Sequence, residues 1–241
     1  MTRSLILIAT LVLLTSSVLA GIPDTFENLT VFPKDMGKRE LIDVMRDFST
    51  ALGVRCTFCH VIKTPGDYDT IDWASDELSH KKITRGMMGL VGEINGGLLE
   101  KAGKGDHSVS CITCHRGLAD PSTLNKVLEK TIAANGLDAG LAKYRELRDS
   151  YYGNGSYDFG IQTLAGVAEY QAQTNGDVPG ALALCDLNVE MNPDNADALL
   201  MRAQINMMTG DAKAARADVT KALEIDPEHG HAQSMLQQLG G

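Results

Sequence analysis

Four of the five cysteines lie in two segments that both read Cys-x-x-Cys-His: Cys56, Cys59 and His60, then Cys111, Cys114 and His115. Two thiols at this spacing can each form a thioether with a vinyl group of one haem. The histidine that follows then lies beneath the iron as an axial ligand. The two segments therefore predict two covalently attached c-type haems, with His60 and His115 as iron ligands.

Three other interpretations compete with haem. Zinc could take the four thiolates, but zinc does not require a histidine directly after each cysteine pair. Two Cys-x-x-Cys disulfides would suit an oxidising compartment, although such pairs usually belong to redox motifs in a βαβ pattern. The third is a chance match, which two copies of the motif argue against. The fifth cysteine, Cys185, lies in a helical segment and is expected to be a buried free thiol.

A helix with an apolar stripe is predicted before each motif, and each stripe carries a methionine. The stripes are Leu41, Met45, Phe48 and Leu52, then Ile83, Met87, Leu90, Ile94 and Leu98. Gly53 suits the end of the first helix. Such a methionine is ordinarily core filler, but beside a haem motif it can fill the sixth iron position. We predict Met45 and Met87 as sixth ligands, with His80 and His107 as the alternatives.

The segment containing both motifs resembles a known family. Met45 precedes the first motif; Thr84-Arg85-Gly86-Met87 and Asn95 precede the second, which ends Cys-His-Arg-Gly at Gly117. Residues 27–120 are thus similar to the cytochrome subunit of photosynthetic reaction centres and its non-photosynthetic relatives. The resemblance implies a mainly helical fold, each haem held between a methionine helix and a motif helix, and stepwise electron transfer through low-spin haems.

This chain departs from the photosynthetic subunit in two ways. It has two haem motifs instead of four, and residues 96–104 lack the histidine that the subunit donates from this stretch to a further haem. The resemblance therefore implies a diheme relative with no tie to photosynthesis. Arg116 is expected beside the second haem because the motif holds it there. Lys81, Lys82 and Arg85 either neutralise haem propionates or form an exposed helical face.

The two ends of the chain carry different signals. Arg3, the apolar run 5–14 and the small-residue pattern 18–20 predict a signal peptide cleaved after Ala20. An uncleaved membrane anchor is the alternative, but the apolar run is short for a bilayer. No later stretch approaches membrane-spanning length. Because of the predicted signal peptide, we expect export to the periplasm or the cell exterior.

The second half is rich in alanine and has a repeat of 34 residues. Helices are predicted over 124–133 and 137–147, around Asn135-Gly136. The repeat pairs are Gly176 with Gly210, Ala181 with Ala215, Val189 with Leu223 and Pro193 with Pro227. This period predicts two tetratricopeptide-like units and a capping helix over 229–239, although Arg202 and Asn206 replace expected apolar residues. The repeats either form a groove for a partner or shield the haem domain.

Composition narrows the function classes. The 241 residues carry a formal charge of −9, which argues against nucleic-acid binding, and 44% are hydrophobic, which argues against general disorder. We predict an all-α protein with a signal peptide at 1–20, a diheme cytochrome c domain at 21–120 and a tetratricopeptide-like domain at 121–241.

The expected function is electron transfer between redox partner proteins, without catalysis. One alternative is a subunit of an extracellular haem-lined polymer, held together by self-association of the helical repeats. The other is a haem enzyme, such as a peroxidase or small-molecule reductase. That class needs an open iron position and a polar distal group, for which His107 is the candidate.

Overall fold

The computed structural model describes residues 21–240, which divide into two compact units. The first ends at Cys111 and the second, which we call the helical unit, begins at Ile112. This division falls inside the second Cys-x-x-Cys-His motif, whereas the predicted domain boundary lies at residue 120. The predicted signal peptide lies outside the described residues.

The first unit, which we call the N-terminal unit, is built from short elements. They are α1 (Lys38–Leu52), a 3₁₀ turn (Cys56–Phe58), β1 (Val61–Ile62), a 3₁₀ turn (Tyr68–Thr70), β2 (Ile71–Asp72), α2 (His80–Glu93), a π-helical turn (Ile94–Leu98) and α3 (Leu99–Lys101). β1 and β2 pair antiparallel, with Ile62 opposite Ile71. The predicted all-α class is confirmed, and this ribbon, with two residues in each strand, is a local addition to it.

The helical unit contains the remaining helices. They are α4 (Cys111–His115, which starts on the last residue of the N-terminal unit), α5 (Leu124–Asn135), α6 (Leu137–Tyr151), α7 (Ile161–Gln173), α8 (Val178–Met191), α9 (Ala196–Met208), α10 (Ala212–Ile225) and α11 (Gly230–Gln238). The helices predicted at 124–133 and 137–147 are confirmed, and both extend by a few residues. Between residues 21 and 240, no helix combines the length and apolar character needed to cross a membrane.

The 34-residue repeat is confirmed as two helix pairs, α7–α8 and α9–α10. Gly176 and Gly210 adopt left-handed φ values of 68° and 81° in the turn of each pair. Asp177 and Asp211 then cap α8 and α10, each carboxylate accepting from a backbone N–H of the first turn at 2.9 Å. The same turn chemistry thus recurs at each repeat.

Arg202 and Asn206, which stand where apolar residues were expected, belong to a polar network. The Arg202 guanidinium donates to both carboxylate oxygens of Asp218, at 2.6 and 2.9 Å, and to Asp186 at 2.9 Å. Asn206 donates to Asp218 at 3.3 Å. These contacts raise the pKa of Arg202 and satisfy the polar groups that the repeat places between α9 and α10.

Candidate haem-binding sites

A cavity of about 640 Å³ in the N-terminal unit gathers the predicted ligands of the first motif. Met45 of α1, Cys56, Cys59 and His60 line it, together with Met88 of α2. A volume of this size falls in the range of cofactor pockets. Most of the other wall is apolar and includes Ile22, Phe26, Leu29, Phe32, Leu41, Ile42, Phe48, Leu52, Val54, Ile71 and Trp73.

Local structure explains how the first motif reaches this cavity. Gly53 caps the end of α1, as predicted, and its left-handed φ of 65° turns the chain back. The N–H of the next residue, Val54, donates to the Ser49 carbonyl. In the 3₁₀ turn that follows, the Cys56 carbonyl accepts from the N–H groups of Cys59 and His60, at 3.2 and 3.0 Å. This tight turn presents both thiols and the imidazole to one space.

The His60 imidazole is neutral and incompletely bonded. Burial, with the nearby charge of Lys81, lowers its pKa to about 4, so the ring is uncharged at neutral pH, which is the form that binds metals. The ring contacts the edge of Trp73 at 4.9 Å. Nδ1 is buried with no hydrogen bond of good geometry, although the Trp73 backbone lies near.

The alternative ligands have other partners in the structure. Nδ1 of His80 lies 2.6 Å from the Phe58 carbonyl oxygen, and its ring stacks on the Phe58 ring at 3.9 Å. His80 thus braces α2 against the first motif, and it does not line the cavity. His107 is exposed and lies 2.8 Å from the Asp106 carboxylate.

Basic side chains outnumber acidic ones in the lining of the first cavity, although the chain is acidic as a whole. The basic residues are Arg46, Arg55, Lys63, Lys81 and Arg85, and the acidic ones are Glu27 and Asp72. Lys81 donates to the backbone carbonyls of Trp73 and Ser75, both at 2.7 Å. Arg85 holds the Asp76 carboxylate through two bonds of 2.7 and 2.9 Å, which lowers the pKa of Asp76 to about 2. Lys82 is exposed and lies outside this lining.

Met87 does not line the first cavity. Its side chain is 37% exposed, and the predicted stripe of α2 is exposed with it at Ile83, Leu90 and Leu98. Met88 lies about 100° further round the helix and faces the first cavity instead. α2 therefore presents one methionine to the first cavity and the other on an apolar face that the N-terminal unit leaves uncovered.

Asn95 lies in the π-helical turn that follows α2 and bonds to the segment leading into the second motif. Its side-chain amide donates to the Val109 carbonyl and accepts from the Val109 N–H, both at 2.8 Å. Val109 lies two residues before Cys111, so the two bonds fix the backbone that enters the motif.

The second motif itself forms α4. Nδ1 of His115 lies 2.8 Å from the Leu118 carbonyl oxygen, an acceptor, so Nδ1 donates here and Nε2 is the ring nitrogen left to face a metal. Metal-binding histidines are commonly oriented by such a bond. Arg116 contributes through its backbone, whose carbonyl accepts from Ser156 at 2.7 Å, while its side chain is exposed.

The placement of the cysteines tests the zinc and disulfide interpretations. All five cysteines are free thiols, and Cys185 is buried as expected, with burial raising its pKa to about 12. Across residues 21–240, no group of three or more His, Cys, Asp or Glu side chains is placed to hold a metal ion. The four motif cysteines therefore do not form a thiolate cage in the described chain.

Three residues of these sites were missed from the sequence. Trp73 is the single tryptophan of the chain, a signal that could have singled it out. Met88 could have been placed in the first cavity from its offset relative to Met87. Ser156 lies 40 residues beyond Arg116, and no spacing pattern connects the two.

The tetratricopeptide repeat family matches residues 172–239, which form a tetratricopeptide repeat region. The match does not extend to either Cys-x-x-Cys-His motif. Similar solved structures include the first tetratricopeptide domain of human RPAP3, at 17% identity over 48% of this chain and 86% of that one, with a TM-score of 0.33. The first such domain of Spaghetti (RPAP3), bound to an HSP90 peptide, is also 17% identical, over 48% and 89%, with a TM-score of 0.33.

Proposed function

We propose that this protein is an exported diheme c-type cytochrome that transfers electrons between redox partner proteins. The observation that carries the proposal is the first cavity, where one apolar space brings together both thiols of a Cys-x-x-Cys-His motif, its neutral histidine and Met45 from another helix. The spacing of the motif and the lining of the cavity support the same cofactor independently.

The packing of the N-terminal unit also supports a large apolar cofactor. Between residues 21 and 111, the buried hydrophobic side chains are Leu41, Ala51 and Ile71. So small a core is marginal for a unit of this size. A covalently attached porphyrin would contribute the apolar surface that the unit lacks.

Each residue has a defined role in this proposal. Cys56 and Cys59 would hold the first haem as thioethers, and His60 and Met45 would be its iron ligands. For the second haem, Cys111, Cys114 and His115 would have the corresponding roles, and Met87 remains the sixth ligand predicted from the sequence. When bound, haem iron supplies a reversible one-electron change between ferric and ferrous states. With a methionine and a histidine on each iron, no position would stay open for a substrate, which favours electron transfer over catalysis.

The basic side chains of the first cavity would neutralise the haem propionates. Arg55 adjoins Cys56 and, within the described residues, makes no ion pair. Its guanidinium is therefore available to a carboxylate in the cavity. Arg85 is neutralised by Asp76, whereas Lys81 bonds to backbone carbonyls and so adds positive charge beside the cavity.

Docking of a protein is a second candidate function, carried by residues 172–239. Tetratricopeptide repeats stack into surfaces that bind other chains, and a single unit cannot bury its own apolar face. The occupant is a redox partner or another copy of this chain. Sedimentation and electron microscopy of the native protein separate these cases, since self-association gives oligomers or filaments and a redox partner leaves the isolated protein monomeric.

Visible spectra and haem quantitation test the main proposal. We expect the full chain, made in a host that attaches haem c, to carry two covalent haems, both low-spin and both with the weak near-infrared band of methionine-bound ferric iron. Met45→Leu should remove that band from one haem and Met87→Leu from the other. Met88→Leu is the matched control, because Met88 lines the first cavity without being assigned to iron.

Other outcomes would change the conclusion. A high-spin or gas-binding haem in the native protein would favour an enzyme. The absence of covalent haem would overturn the proposal.

A further inference from the structure

Ser156 makes a buried contact with the turn that directly follows the second motif. It lies between α6 and α7, and its side chain is only 2% exposed. Its hydroxyl donates to the Arg116 carbonyl at 2.7 Å, and its own N–H is held by the Asn154 side chain at 2.9 Å. A buried hydroxyl bonded to one backbone carbonyl 40 residues away fixes the position of that carbonyl.

The turn that Ser156 holds has a strained backbone. Arg116 has a φ of 49°, the only positive φ of a non-glycine residue in the described chain, and Gly117 follows at 85°. A left-handed conformation at a residue with a Cβ costs free energy and persists where surrounding contacts enforce it. A Cβ on Gly117 would lie 3.4 Å from the Ser156 hydroxyl oxygen, so the turn and the serine are closely fitted.

This turn controls the orientation of His115. Two left-handed residues end α4 and bring the chain back so that the Leu118 N–H bonds to the His115 carbonyl at 2.9 Å. The Leu118 carbonyl, in turn, accepts from Nδ1 of His115, and the Leu118 side chain is buried at 6% exposure. The position of the imidazole therefore depends on the turn that Ser156 stabilises.

We infer that Ser156 is a positioning residue for the second haem, holding the 116–118 turn so that Leu118 orients His115 towards the iron. The inference rests on the proposed function. It also assigns the helical unit a part in the haem site itself, beyond shielding it or binding a partner.

The expected signature is electronic as well as structural. A hydrogen bond from Nδ1 to a carbonyl makes the imidazole a stronger donor to a metal. A stronger donor stabilises ferric iron, so loosening this bond should raise the reduction potential of the second haem. A residue that only supported folding would lower stability without shifting one haem selectively.

A redox titration of the holoprotein tests this. In Ser156→Ala, we expect the potential of the second haem to rise while that of the first is unchanged. A comparison of the titrations of Met87→Leu and the native chain shows which titration step belongs to the second haem. Ser156→Thr, which keeps the hydroxyl, should retain the native potentials.

Thr163→Val is the matched control. Thr163 is also buried, at 3% exposure, and its hydroxyl donates to the Asp158 carbonyl at 2.8 Å in the same unit. It should lower stability about as much as Ser156→Ala and leave both potentials unchanged. If Ser156→Ala accumulates poorly, Gly117→Ala strains the same turn and should raise the same potential.

Two results would overturn the inference. One is native potentials in Ser156→Ala and Gly117→Ala. The other is an equal shift of both haems, which would indicate general loosening. A native protein without two covalent haems would instead refute the proposed function before any variant is compared.

Discussion

The two units bury apolar surface in different ways. In the helical unit, large side chains such as Leu128, Leu164 and Leu199 are fully buried, and alanines such as Ala203 and Ala215 let neighbouring helices approach closely. In the N-terminal unit the largest apolar side chains surround a cavity or remain exposed on α2. The helical unit completes its core with its own residues, whereas the apolar side chains of the N-terminal unit surround a cavity of about 640 Å³.

This difference separates two sources of stability. The helical unit should fold from its sequence alone, because interior packing of this kind stabilises a domain by burial. The N-terminal unit should depend on covalent cofactor attachment, since its own buried surface is small. The division between the units runs through the second motif, whose first cysteine lies in the N-terminal unit and whose histidine lies in the helical unit.

The largest effect is expected from removing the first thioethers. If the proposed function holds, Cys56→Ser with Cys59→Ser should prevent stable folding of the N-terminal unit, because haem would no longer be retained in the cavity. Limited proteolysis of the full chain should digest the N-terminal unit and leave a resistant helical fragment. Cys185→Ala removes a cysteine that lies in the helical core and should keep both haems. A protease-resistant N-terminal unit in the double variant would contradict the comparison.

A smaller effect is expected from a cavity in the helical core. Leu164→Ala should lower the free energy of unfolding of the helical unit by about 2–5 kcal/mol, from lost burial and the space left behind. Thermal unfolding followed by far-ultraviolet circular dichroism measures the loss. The absorbance of the first haem should remain native until the N-terminal unit unfolds. Met208→Ala, at a side chain that is 57% exposed, should change stability little.

The smallest effect is a pH dependence of the N-terminal unit. Arg85 lowers the pKa of Asp76 to about 2, below its ordinary value, so the ionised carboxylate stabilises the folded state. That contribution is complete above about pH 5 and is lost as the pH falls towards about 2. Asp76→Asn should flatten the fall of the melting temperature over this window, measured by haem absorbance. Asp43→Asn, whose pair with Arg46 is exposed on both sides, should follow the native curve.

Local features were predictable from residue type and spacing. Gly53 ends α1 as expected, because glycine adopts the left-handed conformation readily. The 34-residue repeat places Gly176 and Gly210 in equivalent turns. Arg202 was harder, since its fit depends on Asp186 and Asp218, which lie 16 residues away on either side. Periodicity shows that a polar residue stands at an apolar position, but it does not show which partners satisfy it.

The sequence by itself determined the two Cys-x-x-Cys-His motifs, the methionine on each preceding helix and the period of the repeats, because all three depend on spacing along one chain. The tertiary structure decided which methionine of α2 faces the first cavity, that His80 bonds to the Phe58 carbonyl, and that Ser156 bonds to the turn beside His115. These depend on chain segments that meet only after folding. Their contacts are set by distances in space, which residue spacing does not encode.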